Sequence, residues 1–367
     1  MAKVNPKNER LKHAYAAYLQ EAKRMTAASA DDALAAIAAF EASTGAKDFS
    51  RFHIEQAKRF KRLQGEAINR RTGKPVSKAT VQSRLMAVKA FFIWLAGQPG
   101  FRSRISYSDC DYFNPTANDA RIASYRRDVA GPSLDQIRHV LRNLPHGTAP
   151  EKRDRALVAF IALTGVRDSA AVSLRLGHVD LAARRVFQDA REVNTKNRKT
   201  MVTAFFPVGE EIDAIVCDWV RYLREECLFS DDDPLFPKTH VGLNEIGEFA
   251  ADGIAREPWS TAEPVRKLFR KAFEGAGLRY HHPHSFRHTL ARIGQDLCKT
   301  PEQWRAWSQN LGHENIMTTW NAYGQLPEHR QQEILQNLAS AAGGADGGAP
   351  TQDEIARVVS HLARKAG

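Results

Sequence analysis

Apolar positions along this chain recur mostly at helical spacing. Val81, Leu85, Val88, Phe92 and Leu95 fall three and four residues apart, which aligns them on one stripe of a helix that Ser77 is placed to cap. Lys78, Gln82 and Lys89 sit on an adjoining face, either showing basic groups to a ligand or snorkelling at the rim of the core. Upstream, residues 8–45 read as one or two Ala-rich helices, and 53–64 as another with Lys58, Arg59, Lys61 and Arg62 around Phe60. Downstream, Ser133 and Gln136 form a capping box ahead of Ile137, Val140, Leu141 and Leu144, and a helix over 151–164 is stopped by Gly165. Residues 210–227 are amphipathic through Ile212, Ile215, Trp219 and Leu223. Ser260 with Glu263 opens a helix that carries Val265, Leu268, Phe269 and Phe273 inside, with Arg266, Lys267, Arg270 and Lys271 as a basic face. The period changes over 184–208, where 185–190 and 201–208 read as strands flanking the polar turn 194–199. Residues 231–259 read as loop-rich and acidic. The pattern predicts a mainly α protein with a small β-sheet, an α+β chain.

At 367 residues the chain exceeds what one core usually serves. Gly97, Pro99, Gly100 and Asn114-Pro115 give 97–130 the composition of a connector, and Gly131-Pro132-Ser133 opens a new unit. The divisions expected are a helical domain over 1–120, a linker over 121–130, a second domain over 131–340, and a tail over 341–367. That tail begins Gly-rich and returns as a short helix through Ile355, Val358, Val359 and Leu362. No apolar run approaches the roughly 20 residues of a membrane span, the start does not read as a secretory signal, and the four cysteines follow no pairing rule. These features predict a cytoplasmic protein with no membrane association.

Charge changes the picture. The net charge is +11, and all of the excess is N-terminal: residues 1–130 hold 23 Lys and Arg against 12 Asp and Glu, whereas 131–367 hold 30 of each. Residues 51–100 alone hold 11 against 2 and include Arg70, Arg71 and Lys74 in a polar turn. Such a stretch suits a polyanion, although a basic surface kept for solubility would look the same.

The chemistry sits elsewhere. Arg167 follows Thr164-Gly165-Val166; His284-Ser285-Phe286-Arg287-His288 follows about 115 residues later; Leu311-Gly312-His313 and then Tyr323 close the series. Arginines, histidines and a tyrosine suit attack of a phenol hydroxyl on a phosphodiester. The guanidinium forks neutralise the developing charge, imidazoles move protons, and the phenol holds the cleaved strand. His281 and His282 beside His284, with Cys298 nearby, lack the spacing of a zinc site.

Three boxes in this order resemble those of the tyrosine recombinases, the phage integrase family. Thr164–Arg167 with Val172-Ser173-Leu174-Arg175 and His178-Val179-Asp180-Leu181 is similar to the first box. His284–Thr289 is similar to the second, and Leu311–Asn315 with Thr318-Thr319 and Tyr323 to the third. The resemblance covers about 130–340 firmly. It implies an N-terminal core-site binding domain, a catalytic domain, and site-specific cutting and rejoining of DNA without metal, ATP or other cofactor. It casts Tyr323 as nucleophile, Arg167 and Arg287 as phosphate clamps, His313 as a phosphate hydrogen-bond donor, His284 as base or proton relay, and Lys196 as general acid with Lys199 its rival. His288 is expected to be structural, supporting the arginine of its box. Lys58, Arg59, Lys61, Arg62, Arg70, Arg71, Lys74, Lys78 and Lys89 are the candidate DNA contacts. The implied partner is double-stranded DNA with inverted-repeat core sites, bound by a homotetramer at the nucleoid, with mobile-element integration among the roles. A topoisomerase-like enzyme that nicks and reseals one strand, or a non-catalytic DNA-binding regulator, are the alternatives. Two departures stand out. Ala170 occupies the position, three after the first arginine, where the family commonly has an acid, so that Asp168 is the available substitute. The interval from His313 to Tyr323 is ten residues, where nine is commoner.

Overall fold

The computed structural model describes residues 5–69, 72–124, 131–243 and 249–313, with positions 332, 335 and 336. Tyr323, Arg70, Arg71 and the tail over 341–367 lie outside the described residues. The chain divides into two compact units, Met1–Arg127 and Asp128–Gly367.

Among its described residues the first unit is helical: α1 (Pro6–Ala17), α2 (Ala27–Ser43), α3 (Ile54–Glu66), α4 (Lys78–Ala96) and α5 (Ala117–Ser124). Local caps set the starts. The side chain of Thr26 accepts from the backbone of Ser29, Ser77 accepts from Thr80, and His53 with Gln56 forms a capping box. The predicted stripe of α4 is buried, as are Phe91 and Ala96 beside it. It packs into an aromatic core in which Phe52 stacks on Phe92 at 4.2 Å and Phe40 meets Phe92 edge-on at 5.1 Å between ring centroids. The Gly- and Pro-rich stretch after α4 is not open connector: Ile105, Cys110 and Phe113 are buried in this same core.

The second unit is built on α7 (Ala149–Thr164), which follows α6 (Leu134–Asn143) and is buried without a break from Ala156 to Thr164. The capping boxes Ser133/Gln136 and Thr148/Glu151 begin these two helices, and Gly165 in the left-handed region (φ 63°) ends the second. The one-turn α8 (Asp168–Ala171) leads to an antiparallel sheet of β1 (Val179–Asp180), β2 (Arg185–Gln188) and β3 (Met201–Ala204), in that order. Val186 pairs with Thr203 and faces the core; Phe187 pairs with Val202 and faces out. The elements α9 (Glu210–Glu225), β4 (Pro237–Leu243), β5 (Phe249–Pro258), α10 (Glu263–Gly275), α11 (Phe286–Leu297) and α12 (Pro301–Asn310) complete it. At the outer edge of β3 the Asn310 side chain substitutes for a strand: its Nδ2 donates to Ala204 O at 2.9 Å, and its Oδ1 accepts from Ala204 N at 2.7 Å.

Three expectations change. The stretch 231–259 is not mainly loop, because β4 and β5 form an antiparallel hairpin there with two register shifts. Pro237, Gly242 and Gly253 and the irregular register erase the two-residue alternation that would have announced it. The strands expected to reach Ala190 and Val208 stop at Gln188 and Ala204. Ser260 does not cap α10, whose first turn begins at Glu263 after Ala262 with no side-chain cap. Among the described residues no helix is long and apolar enough to cross a membrane.

Candidate active site

Gly165 is where the site begins. Its positive φ lets α7 end, and a side chain there would stand 2.8 Å from Leu290 Cδ1 and 3.2 Å from Leu311 Cδ2. The chain then turns, and Arg167 takes the residue before α8, half-buried at the rim. Arg287, the second residue of α11, is 3% exposed. Its Nη1 donates to Gly165 O at 2.7 Å, and its Nη2 donates to Leu311 O and lies 3.2 Å from His313 Nε2. One guanidinium therefore ties together all three boxes that sequence separates. His313 is held by its backbone N–H on Ser308 O at 3.2 Å, just after Gly312 turns in the left-handed region.

Arg167, Gln188, Lys196, Lys199, Gly312 and His313 line a common cleft of about 270 Å³. Lys196 opens the single helical turn Lys196–Arg198 between β2 and β3 and is exposed; Lys199 follows that turn and is half-buried. Beside them the Oγ1 of Thr195 is buried with no hydrogen-bond partner among the described residues.

His284 stands on the 3-10 turn Pro283–Ser285 directly before α11, its ring centroid 6.1 Å from that of His288 and 6.3 Å from that of His282. The protein packed around part of the ring lowers its pKa from the usual 6.5 to about 4, reinforced by Arg287, His288, Arg167 and His282. His313 is lowered to about 4 by desolvation first, then by Arg287, Arg167, His284 and Lys196. Both imidazoles are therefore neutral at pH 7. His281 is turned toward Phe273, 5.4 Å between ring centroids. His178, from the first box, is a buried brace: its Nδ1 accepts from Arg175 N at 2.9 Å and its Nε2 lies 3.0 Å from Glu192.

Asp168 is engaged by α10. Arg266 Nε donates to its Oδ2 at 2.9 Å, while Oδ1 accepts from Ser169 N. Its charge also acts to raise the pKa of His282 against the lowering caused by burial. The sequence suggested Asp168 as a stand-in for the acid missing at Ala170 but gave no sign of Arg266, 98 residues away. Gln188 was also missed. It is buried, donates to Thr203 Oγ1 at 2.9 Å and lines the cleft, a position that its inward register on β2 would have revealed.

The candidate DNA contacts lie in the first unit. Lys58 pairs with Glu55 at 2.7 Å and lies over the Tyr112 ring; Lys78 pairs with Asp119 at 2.8 Å, and Lys89 with Asp111 at 2.7 Å. Lys61 donates to Asn114 O at 2.8 Å. Arg59, Arg62 and Lys74 are exposed.

The profile of the Phage integrase family matches residues 133–330, more than half of the chain and all three boxes. This chain belongs to the phage integrase family. Among relatives, it is 25% identical over 311 residues to tyrosine recombinase XerC of Escherichia coli O1:K1 / APEC, covering 84% of this chain and 87% of that one. It is 27% identical over 256 residues to XerC of Lactobacillus delbrueckii subsp. bulgaricus, covering 68% and 72%. The fold is similar to that of a lambda integrase dimer bound to a core site (TM-score 0.59, 12% identity, 86% of this chain and 94% of that one). It is also similar to the Tn1549 transposon integrase in complex with transposon right end DNA (TM-score 0.56, 14% identity, 90% and 99%). At those identities the two structures speak for the fold of this integrase-family chain.

Proposed function

We propose that this chain cuts and rejoins DNA at specific sites through a 3′-phosphotyrosyl intermediate on Tyr323. Membership of the phage integrase family makes it a tyrosine-type site-specific recombinase, an enzyme that breaks and rejoins DNA. The observation that carries the residue-level reading is the convergence of Arg167, Arg287 and His313, with His284 close enough to feel both arginines.

Arg167 and Arg287 grip the non-bridging oxygens of the scissile phosphate, and His313 donates to one of them. Phosphate arrival reverses the electrostatics of the site. Burial remains the main reason that both imidazoles are neutral, but the phosphate offsets the cations that lower them further, so His284 becomes more basic and takes the phenolic proton of Tyr323. The tyrosyl oxygen bonds to phosphorus, the bond from phosphorus to the 5′ oxygen breaks, and Lys196 protonates that oxygen. Lys196 and Lys199 both line the cleft, and the charge of Lys196 acts on His313, which supports Lys196 as the general acid. The phosphotyrosyl ester retains the phosphodiester's energy, so rejoining needs no nucleotide, and the arginines supply the positive charge. The substrate is double-stranded DNA with inverted-repeat core sites, gripped by a homotetramer whose basic first units bind the flanking duplex, in the cytoplasm at the nucleoid.

A suicide duplex nicked beside the scissile phosphate tests this. The wild-type chain gives a covalent protein–DNA adduct on a denaturing gel, whereas Tyr323→Phe binds the duplex and gives none. An adduct formed by Tyr323→Phe refutes the assignment. Relaxation of supercoils with no exchange between two sites would favour the topoisomerase-like reading.

A further inference from the structure

The segment that opens the second unit lies on the catalytic helix. Gly131 and Pro132 are buried, and Gly131 is the first described residue after Ser124. Its Cα rests against the first turn of α11. A methyl group at Gly131 would be driven into the carbonyl oxygen of Ser285 and would lie 2.8 Å from Thr289 Oγ1 and 3.0 Å from Thr289 N. Those groups belong to the two ends of that turn, and between them lie Arg287 and His288, with His284 immediately before. The contact is locked by a hydrogen bond in which Thr289 Oγ1 donates to Pro132 O at 2.5 Å, from a threonine that is itself buried. Only glycine allows so close an approach of two backbones.

We propose that Gly131, Pro132 and Thr289 are positioning residues for the catalytic reaction: their contact fixes the tilt of the first turn of α11 and so the placement of His284 and Arg287. Neither Gly131 nor Pro132 reaches the cleft, so they act through the turn on which they rest. A turn displaced by a fraction of an ångström swings Arg287 away from Gly165 and His313 and moves His284 relative to the phosphate. Misplacement of about 1 Å costs on the order of 100-fold in rate.

This inference rests on the catalytic reading of His284 and Arg287, and its test separates the two. Gly131→Ala and Thr289→Val are compared with wild type and with Thr289→Ser, which keeps the hydroxyl. Three quantities are read: the adduct-forming rate at saturating suicide duplex, the Kd for that duplex, and the titration of His284 followed by NMR in histidine-labelled, DNA-free protein. The expected result is an adduct rate lowered about 10- to 100-fold in both variants, a Kd within about twofold of wild type, a displaced His284 titration, and near-wild-type behaviour for Thr289→Ser. Wild-type rates and an unmoved titration in Thr289→Val overturn the proposal, even if Gly131→Ala fails to fold. A lowered Tm with rate and titration unchanged makes the contact merely structural and also overturns it. If the wild-type chain forms no adduct, the catalytic reading fails, and the His284 titration still decides whether the contact positions the turn.

Discussion

The guanidinium of Arg287 donates to the carbonyl oxygen of Gly165 at 2.7 Å across 122 residues of sequence. Gly165 ends the helix that precedes Arg167, so the buried Arg287 sets the distance between itself and the half-buried Arg167. The same cation serves folding and chemistry, because its second nitrogen holds Leu311 and reaches His313.

Arg287→Lys should therefore fail twice. A lysine presents one compact ammonium in place of a fork and cannot serve the Gly165 and Leu311 carbonyls and the His313 ring together. Leaving a buried carbonyl without its charged donor costs about 2–3 kcal/mol. The variant should lose that much stability in urea unfolding and form no adduct. Unaltered unfolding would mean that the two carbonyls are satisfied without the arginine.

Acid should weaken the fold through two named histidines. His284 and His313 titrate near 4 in the folded chain and near 6.5 when unfolded. Between about 4 and 6.5 the unfolded chain takes up protons at these positions while the folded chain does not, so stability falls as pH is lowered through that window. The double variant His284→Gln, His313→Gln should show a flatter dependence of unfolding free energy on pH from 7 down to 4.5. An identical slope in wild type and variant would place the titration elsewhere.

The two lysines of the cleft can be told apart by the leaving group. Lys196→Ala should slow cleavage about 10²- to 10⁴-fold, the usual range for a lost general acid. A duplex with sulfur in place of the bridging 5′ oxygen should restore the rate, because a thiolate leaves without a proton. Lys199→Ala should respond weakly to both substrates. Sulfur rescue of Lys199→Ala in place of Lys196→Ala would exchange their roles.

On the first unit, structure divides the basic residues that sequence grouped. Lys78 and Lys89 already face Asp119 and Asp111, whereas Arg59 and Arg62 are exposed with no ion-pair partner among the described residues. Replacing Arg59 and Arg62 with Gln should weaken binding to any duplex and reduce the salt slope by about 0.9 per lost phosphate contact. Replacing Lys78 and Lys89 should do less, since each must first leave a carboxylate. Equal salt slopes in wild type and Arg59/Arg62 variant would return this face to solubility alone.

Much of this was legible because it is local. The stripe from Val81 to Leu95, the Ser133/Gln136 box and the Gly165 stop are each set by residues within a few positions, and the structure carries them as read. The boxes were legible by their spacing. The hairpin of β4 and β5 was not, since glycines, a proline and shifted register hide its period. Nor were the pairs Asp168–Arg266 and Gly131–Ser285, because nothing in a sequence announces which distant segment will be folded against another.

The amide of Asn310 has a further consequence at the edge of β3. An edge strand offers unpaired backbone groups to any other extended chain, and here Phe187 and Val202, 45% and 50% exposed on the adjoining face, would make such an encounter adhesive. With both polar groups of Ala204 already taken by one side chain, an incoming strand would have to evict a bidentate partner before it could add. The small sheet thus carries its own stopper against self-association, placed three residues ahead of His313.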